Sequence, residues 1–204
     1  MREPGVLRAA VFLDRDGTIA EEAGYLNDIS RFRVFESSAA AIQRLNQAEL
    51  PVIVVTNQSG VARGFFPESL IHSVHDQMHK ELAAGGARVD GVYYCPHKTD
   101  DNCECRKPRP GMLERAAREH RISLPDSFLA GDRYDDVAMA QTAGMKGILV
   151  LTGYGRGEYT WNRRQWPQQP DFVAENLATA VDYILQERHA RSAAFAERPW
   201  KESR

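Results

Sequence analysis

Short apolar runs alternate along the chain with segments whose apolar residues recur at helical spacing. Five runs, nearly all apolar and several rich in β-branched residues, are typical of buried strands: residues 9–13, 51–55, 89–94, 128–130 and 147–151. Five segments predict helices: residues 37–50, 67–84, 110–120, 135–143 and 177–188. Strands that are apolar on both faces and alternate with helices predict an α/β fold, a Rossmann-like parallel sheet with helices on both faces.

Two stretches lack either pattern. Residues 153–170 have no clean period and predict a long loop, and the polar tail at 189–204 is expected to be flexible or to extend the last helix. The length of 204 residues suits one domain, with its core over about residues 9–188. Only about twenty residues separate Thr18 from the first predicted helix, so we expect no large cap domain.

Composition and charge narrow the classes of partner. The 43% of apolar residues suffices for a sizeable core, and 26 basic against 28 acidic residues give a net charge of -2, which disfavours a nucleic-acid partner. No apolar run is long enough for a membrane span, and the N-terminal residues lack the pattern of a signal peptide. We expect a cytoplasmic protein, a monomer, with neither a nucleic-acid nor a membrane partner.

Polar side chains follow three of the predicted strands. Asp14 and Asp16 follow the first strand, Thr56 the second, and Asp132 a later one. In parallel sheets ligands bind beyond the carboxyl ends of the strands, where these side chains would meet. Clustered carboxylates repel one another unless a cation such as Mg²⁺ lies among them. The Thr56 hydroxyl and the Lys107 ammonium could bind a substrate phosphate. An ordinary surface turn at Asp14–Gly17 is the alternative, and the matching signals at the other strand ends disfavour it.

The segments 12–18, 56–60, 106–108 and 131–136 resemble, in order, the four motifs of the haloacid dehalogenase superfamily of phosphatases. Within that superfamily the chain is most similar to the branch of heptose bisphosphatases and histidinol phosphatases, over about residues 9–151. The resemblance implies that Asp14 is a nucleophile forming an aspartyl-phosphate, and that Asp16 is a general acid and then a base. It also implies Mg²⁺ bound by Asp14, by the Asp16 carbonyl and by Asp132.

The same resemblance implies the substrate contacts, which are Glu22, Ala23, Gly24, Tyr25, Thr56, Asn57, Gln58, Ser59, Arg106 and Lys107. Heptose bisphosphatases carry an Asp-His pair before Gly-Tyr, whereas this chain has Glu22-Ala23, which keeps a carboxylate and loses an imidazole. The expected substrate is a phosphorylated sugar, D-glycero-D-manno-heptose 1,7-bisphosphate cleaved at its 7-phosphate. Histidinol phosphate is the nearest alternative. A phospho-accepting receiver domain and a zinc-stabilised nucleic-acid module represent other classes.

The three cysteines lie within eleven residues, close to a histidine. Cys95, His97, Cys103 and Cys105 form a Cys₃His set suited to tetrahedral Zn²⁺, while three reduced, unliganded cysteines are the alternative. The bisphosphatase branch is similar here too, since it carries a structural zinc on such a loop. A closed zinc on residues 95–105 would position the neighbouring Arg106 and Lys107.

Three histidines, His72, His75 and His79, recur on one predicted helix. Their spacing of i, i+3 and i+7 is compatible with a metal, but no carboxylate partner is evident nearby. We expect a polar helix face.

Overall fold

The structure, a computed structural model, describes residues 7–196. Its strands are β1 (Val11–Leu13), β2 (Val52–Asn57), β3 (Gly91–Cys95), β4 (Phe128–Gly131), β5 (Lys146–Val150) and β6 (Phe172–Ala174). Its helices are α1 (Ser38–Gln47), α2 (Glu68–Ala84), α3 (Gly111–His120), α4 (Tyr134–Thr142), α5 (Gly155–Asn162) and α6 (Leu177–Ala196). All six strands pair in parallel, in the order β3-β2-β1-β4-β5-β6.

Successive residues of the central strands enter two different cores. Val11 and Leu13 of β1 pack in the core that contains residues of α1, α2 and α6. Ala10 and Phe12 pack in the second core, with residues of α3 and α4. Both faces are therefore covered, which explains the nearly continuous apolar runs. The predicted α/β, Rossmann-like parallel sheet is confirmed.

The chain reverses its direction of strand addition at β1. β2 and β3 lie on one side of β1, and β4 to β6 lie on the other. In an open α/β sheet this switch point opens a crevice beyond the carboxyl ends of the strands. The turns after β1 and β4 both enter that crevice.

The connection between β1 and α1 is short. It contains two isolated bridges, Asp16 to Ala20 and Ala20 to Val34, and one turn of 3₁₀ helix at Ile29–Arg31. Residues 7–196 accordingly include no large cap domain, as the sequence predicts. Across those residues, no helix combines the length and the apolarity that crossing a membrane requires.

One sequence-based expectation is wrong. The predicted loop at residues 153–170 contains α5 and a 3₁₀ turn at Arg163–Gln165, where the Trp166 ring stacks on Tyr134 at 4.6 Å. The polar tail extends the last helix, which is one of the two outcomes expected for it, since α6 continues without a break up to Ala196. The part of that tail at 197–204 lies outside the described residues.

Candidate active site

A cavity of about 300 Å³ opens beyond the carboxyl ends of β1, β2 and β4. Its walls come from the turns after these strands, the segment following Gly17, the end of the cysteine loop, and Tyr154 beyond β5. Of the sequence-predicted site residues, those lining it are Asp14, Asp16, Glu22, Gly24, Tyr25, Thr56, Asn57, Gln58, Ser59, Arg106, Lys107 and Asp132. Ala23 does not line it, and the Ala23 carbonyl instead accepts a hydrogen bond from Arg31.

Asp14 stands at the end of β1, and Lys107 faces it. The Asp14 amide donates to the Ala130 carbonyl of β4, which fixes the backbone, and Arg15 N donates to Asp14 Oδ1 at 2.7 Å. Lys107 Nζ lies 2.8 Å from Asp14 Oδ1 and 2.7 Å from Asp136 Oδ1. It also donates to the Val55 carbonyl at 3.1 Å. Three acceptors thus surround an ammonium with three protons.

Asp132 is held between two glycines. A β-carbon at Gly17 or at Gly153 would lie 2.1 Å from Asp132 Oδ2, so neither position accommodates a side chain. Tyr154 N donates to the same oxygen at 2.8 Å. The close approach of the two loops therefore fixes the Asp132 carboxylate at the base of the cavity.

Three buried carboxylates meet around the single ammonium of Lys107. Asp14, Asp132 and Asp136 each offer an oxygen, and these three oxygens lie within 4.8 Å of one another. Burial raises the pKa of Asp14 and of Asp132, and the neighbouring carboxylates raise them further, while the Lys107 charge lowers both. The donor set of hard oxygens and its excess negative charge fit a divalent cation such as Mg²⁺.

Asp16 is turned towards Arg15 and Gln58. Arg15 Nε donates to Asp16 Oδ1 at 3.0 Å, and its second nitrogen donates to Oδ2 at 2.7 Å. Gln58 Nε2 donates to Asp16 Oδ2 at 2.8 Å and to Thr56 Oγ1 at 3.0 Å. Gln58 thereby links the turn after β2 to the turn after β1, and it orients the Asp16 carboxylate at the cavity wall.

The segment expected to contact substrate forms one rim of the cavity. Gly24 N donates to Glu22 Oε1 at 2.5 Å, and burial raises the pKa of the Glu22 carboxyl. Tyr25 packs edge-on against Phe65, with 4.7 Å between ring centroids. This rim combines one carboxylate with an aromatic edge.

The cysteine loop brings its four predicted ligands together. The Sγ atoms of Cys95 and Cys105 each lie 3.5 Å from that of Cys103, and His97 Nδ1 lies 3.3 Å from Cys105 Sγ and 3.6 Å from Cys95 Sγ. A tetrahedral zinc site has edges of about 3.8 Å between sulfurs and about 3.5 Å between sulfur and nitrogen. Burial raises the pKa of the Cys95 thiol, so a thiolate there needs a cation. Geometry and chemistry both fit Zn²⁺.

The histidines of α2 do not form one polar face. His72 and His79 are exposed as expected, but His75 is buried, contrary to the expectation. His75 follows Ile71 and Val74 on the packed side of the helix, where its ring meets the Arg15 guanidinium.

Seven further residues line the cavity beyond the predicted site residues listed above: Leu26, Gly60, Phe66, Arg133, Asp135, Asp136 and Tyr154. Asp136 is fully buried, and it pairs with Lys107 from the first turn of α4. The signal available for Asp136 was its place four residues after Asp132 in the fourth motif. Tyr154 gave no signal, because it lies in the segment predicted to be a loop.

Known proteins similar to this chain agree on one family. A family model described as HAD-hydrolase-like matches residues 104–180. The chain is 40% identical over 179 residues to the D-glycero-beta-D-manno-heptose-1,7-bisphosphate 7-phosphatase of Pasteurella multocida, covering 84% of this chain and 94% of that protein. It is 38% identical to the D-glycero-D-manno-heptose-1,7-bisphosphate 7-phosphatase of Thermosynechococcus vestitus, covering 87% and 95%.

The fold also has a counterpart among solved structures. The D,D-heptose 1,7-bisphosphate phosphatase of B. bronchiseptica, solved with magnesium and phosphate, superposes with a TM-score of 0.81 at 37% identity. The match covers 88% of this chain and 99% of that one. The predicted phosphatase class is confirmed. The chain belongs to the haloacid-dehalogenase-like hydrolases, in the family of the heptose-1,7-bisphosphate 7-phosphatases.

Proposed function

We propose that this phosphatase hydrolyses the 7-phosphate of D-glycero-D-manno-heptose 1,7-bisphosphate, with Mg²⁺ and through an aspartyl-phosphate. The observation that carries the proposal is the cluster of Asp14, Asp132 and Asp136 around Lys107, at the base of a polar cavity. The printed names of the relatives supply the substrate class.

In the first step an Asp14 carboxylate oxygen attacks the phosphorus and forms a new P–O bond. The bond from phosphorus to the sugar oxygen breaks, and its electron pair stays on that oxygen. The protonated Asp16 carboxyl gives its proton to the leaving oxygen, so the sugar departs as a neutral alcohol. Asp14 needs no activating base, because a carboxylate is already anionic.

In the second step water attacks the phosphorus of the aspartyl-phosphate. The Asp16 carboxylate takes a proton from this water, and the acyl-phosphate P–O bond breaks with its electrons returning to Asp14. Inorganic phosphate leaves, and both carboxyl groups recover their starting states. Lys107 neutralises charge near Asp14 throughout, and Thr56 Oγ1 is placed to donate to a phosphoryl oxygen.

Asp14 and Asp132 would hold Mg²⁺ together with the Asp16 carbonyl. When bound, the ion neutralises charge on the phosphoryl oxygens and offsets the mutual repulsion of the carboxylates. The raised pKa of both carboxyl groups supports this assignment, since buried carboxylates beside one another favour a bound cation.

A bisphosphate needs cationic groups beyond Lys107. Arg106 and Arg133 both line the cavity, and neither guanidinium is buried as Lys107 is. Arg133 lies over the Tyr154 ring, 3.9 Å from its centroid. We assign the second phosphate to these two arginines, which can bind it through paired N–H groups.

We further propose a structural zinc on Cys95, His97, Cys103 and Cys105. A closed set of four ligands offers no open position for catalysis. Its effect is on the chain that follows directly, because Arg106 donates to the His97 carbonyl at 3.2 Å and Lys107 comes next. The zinc would thus keep both cations in place at the cavity.

Initial rates of phosphate release test the substrate assignment. The panel contains both anomers of the heptose 1,7-bisphosphate, the heptose 7-phosphate, other sugar bisphosphates and histidinol phosphate, with magnesium present or chelated. We expect the highest kcat/KM on a heptose 1,7-bisphosphate, with phosphate lost from position 7. A higher kcat/KM on histidinol phosphate would overturn the substrate. A stable phosphoaspartate without turnover would overturn the hydrolysis.

A further inference from the structure

A buried arginine stands directly behind the proposed acid-base residue. Arg15 is only 1% exposed, although it lies in the turn that bounds the cavity. Burying a guanidinium is costly unless its N–H groups are bonded. Two of its nitrogens donate to Asp16, at 3.0 and 2.7 Å, in the parallel arrangement that fixes both partners.

The third nitrogen of Arg15 points away from the cavity, towards α2. It lies 3.2 Å from Nε2 of His75. A guanidinium only donates, so His75 Nε2 must accept through its lone pair and the ring proton must lie on Nδ1. The burial of His75 and the Arg15 charge both lower the pKa of this imidazole, to about 3, which keeps the ring neutral.

Arg15 connects His75, on α2, to the Asp16 carboxylate. His75, on a helix of seventeen residues, binds Arg15, and Arg15 binds both oxygens of Asp16. Neither His75 nor Arg15 lines the cavity. Asp14 accepts from Arg15 only through the backbone amide, and Lys107 pairs with Asp14 and Asp136, so loss of the His75 contact with the Arg15 side chain leaves the nucleophile and its ammonium in place.

We propose that His75 is a positioning residue that acts through Arg15 to aim the Asp16 carboxyl at the leaving oxygen and the attacking water. The inference rests on the proposed function, in which Asp16 exchanges the proton. Without an acceptor on His75, a buried guanidinium nitrogen loses its partner and Arg15 turns to find another. Asp16 then loses its fixed orientation, and proton transfer by its carboxyl group becomes slower.

Two substrates whose leaving groups differ in their need for a proton distinguish this positioning role from a merely structural one. A sugar alkoxide needs a proton in order to leave, whereas p-nitrophenolate leaves without one. With p-nitrophenyl phosphate, transfer to Asp14 therefore stays fast when Asp16 is misplaced, while hydrolysis of the aspartyl-phosphate still needs the base. A positioning defect predicts a burst of about one p-nitrophenolate per active site, followed by slow turnover.

The experiment compares His75→Leu, which has no acceptor, with His75→Gln, whose Oε1 can accept from Arg15. His79→Leu, at an exposed position of the same helix, is the matched control. For His75→Leu we expect kcat on the heptose bisphosphate to fall about tenfold or more, with KM within about twofold, and the nitrophenolate burst to appear. His75→Gln should restore most of kcat, and His79→Leu should behave as wild type.

Several outcomes would overturn the inference. One is a wild-type kcat for His75→Leu. Another is an equal loss of kcat on both substrates, without a burst and with a lowered melting temperature. A structural defect would slow both chemical steps alike. If His75→Leu does not fold, His75→Asn replaces it, because its shorter amide is polar but does not reach Arg15. A wild-type protein that hydrolyses neither ester overturns the proposed function, and this inference with it.

Discussion

Asn57 holds the backbone of Lys107 at both of its polar groups. Asn57 Oδ1 accepts from Lys107 N at 3.2 Å, and Nδ2 donates to the Lys107 carbonyl at 3.5 Å. The contact joins the end of β2 to the end of the cysteine loop, fifty residues away. The sequence placed Asn57 among the phosphate-binding residues, whereas its side chain is directed to the protein backbone.

We expect Asn57→Ala to lower kcat/KM about tenfold or more, because a displaced Lys107 no longer meets Asp14 correctly. Asn46 offers a matched control, since it makes the same pair of bonds to the Arg88 backbone, at 2.7 and 3.0 Å, far from the cavity. Asn46→Ala should cost stability and leave steady-state kinetics unchanged. Equal kinetic defects in the two variants would contradict the assigned role of Asn57.

Asp14→Asn should reduce turnover by about three orders of magnitude or more, because an amide is a poor nucleophile towards phosphorus. The fold should survive, since the new side chain has the same shape and Lys107 keeps Asp136 as its partner. Phosphate release and thermal unfolding measure the two effects. Radiolabelled phosphate trapped on acid-quenched wild type, and absent from the variant, would identify the acyl-phosphate. Retained turnover in the variant would show that another group attacks.

The fold was predictable from local pattern because each central strand is buried on both faces. Two elements escaped prediction for a physical reason. The packed face of α5 has Gly155 as its buried residue, so the helix lacks an apolar stripe. The edge strand β6 has three residues, of which Ala174 is the buried one.

The candidate site was predictable only where chemistry and local motif coincide. Asp14, Asp16 and Asp132 lie in turns that directly follow strands, and this position in the sequence identifies them as candidate site residues. Asp136 belongs to the fourth motif, but its full burial depends on Lys107, from a distant segment, so the local pattern does not predict this pairing. His75 was likewise predicted to lie on a polar helix face with His72 and His79, because its buried partner, Arg15, belongs to a distant loop.

Stability without metal should depend on pH in a defined direction. Burial raises the pKa of Asp14 to about 7 and that of Asp132 to about 8, from the ordinary value of 3.8. Between about pH 4 and 8 these two carboxyl groups bind more protons in the folded than in the unfolded state, so their contribution to stability falls as pH rises. Mg²⁺ competes with these protons.

Millimolar Mg²⁺ should therefore raise the melting temperature more at about pH 8 than at about pH 5. Thermal scans of chelator-treated protein, titrated with magnesium at each pH, measure this difference. Asp132→Asn provides the comparison, because it removes one titrating ligand and should reduce both the pH dependence and the magnesium shift. A magnesium shift that is equal at the two pH values would contradict the carboxylate cluster as the binding site.

Zinc should be lost when one thiolate is removed. Cys103→Ser should lower bound zinc from about one per chain and reduce kcat/KM about tenfold, because Arg106 and Lys107 follow the loop. Glu104→Gln is the matched control, since its side chain is exposed between two ligands. Elemental analysis and kinetics on the same preparations test the link. A zinc-depleted variant with the full wild-type rate would separate the zinc from the active site.

Gly17→Ala should lower the free energy of unfolding by more than the backbone strain of its positive φ accounts for. Gly17 and Gly144 have similar positive φ values, 77° and 73°, and an alanine at either position costs about 1–2 kcal/mol of backbone strain. The β-carbon at Gly144 meets nothing within 4 Å, whereas that at Gly17 would lie 2.1 Å from Asp132 Oδ2. Relieving this clash must displace Asp132 or the turn after Asp14.

Denaturant unfolding should show a further loss of about 1–3 kcal/mol for Gly17→Ala, with phosphatase activity abolished, while Gly144→Ala retains its rate. Equal losses of stability in both variants, with activity intact, would mean that the approach of Gly17 to Asp132 does not constrain the site.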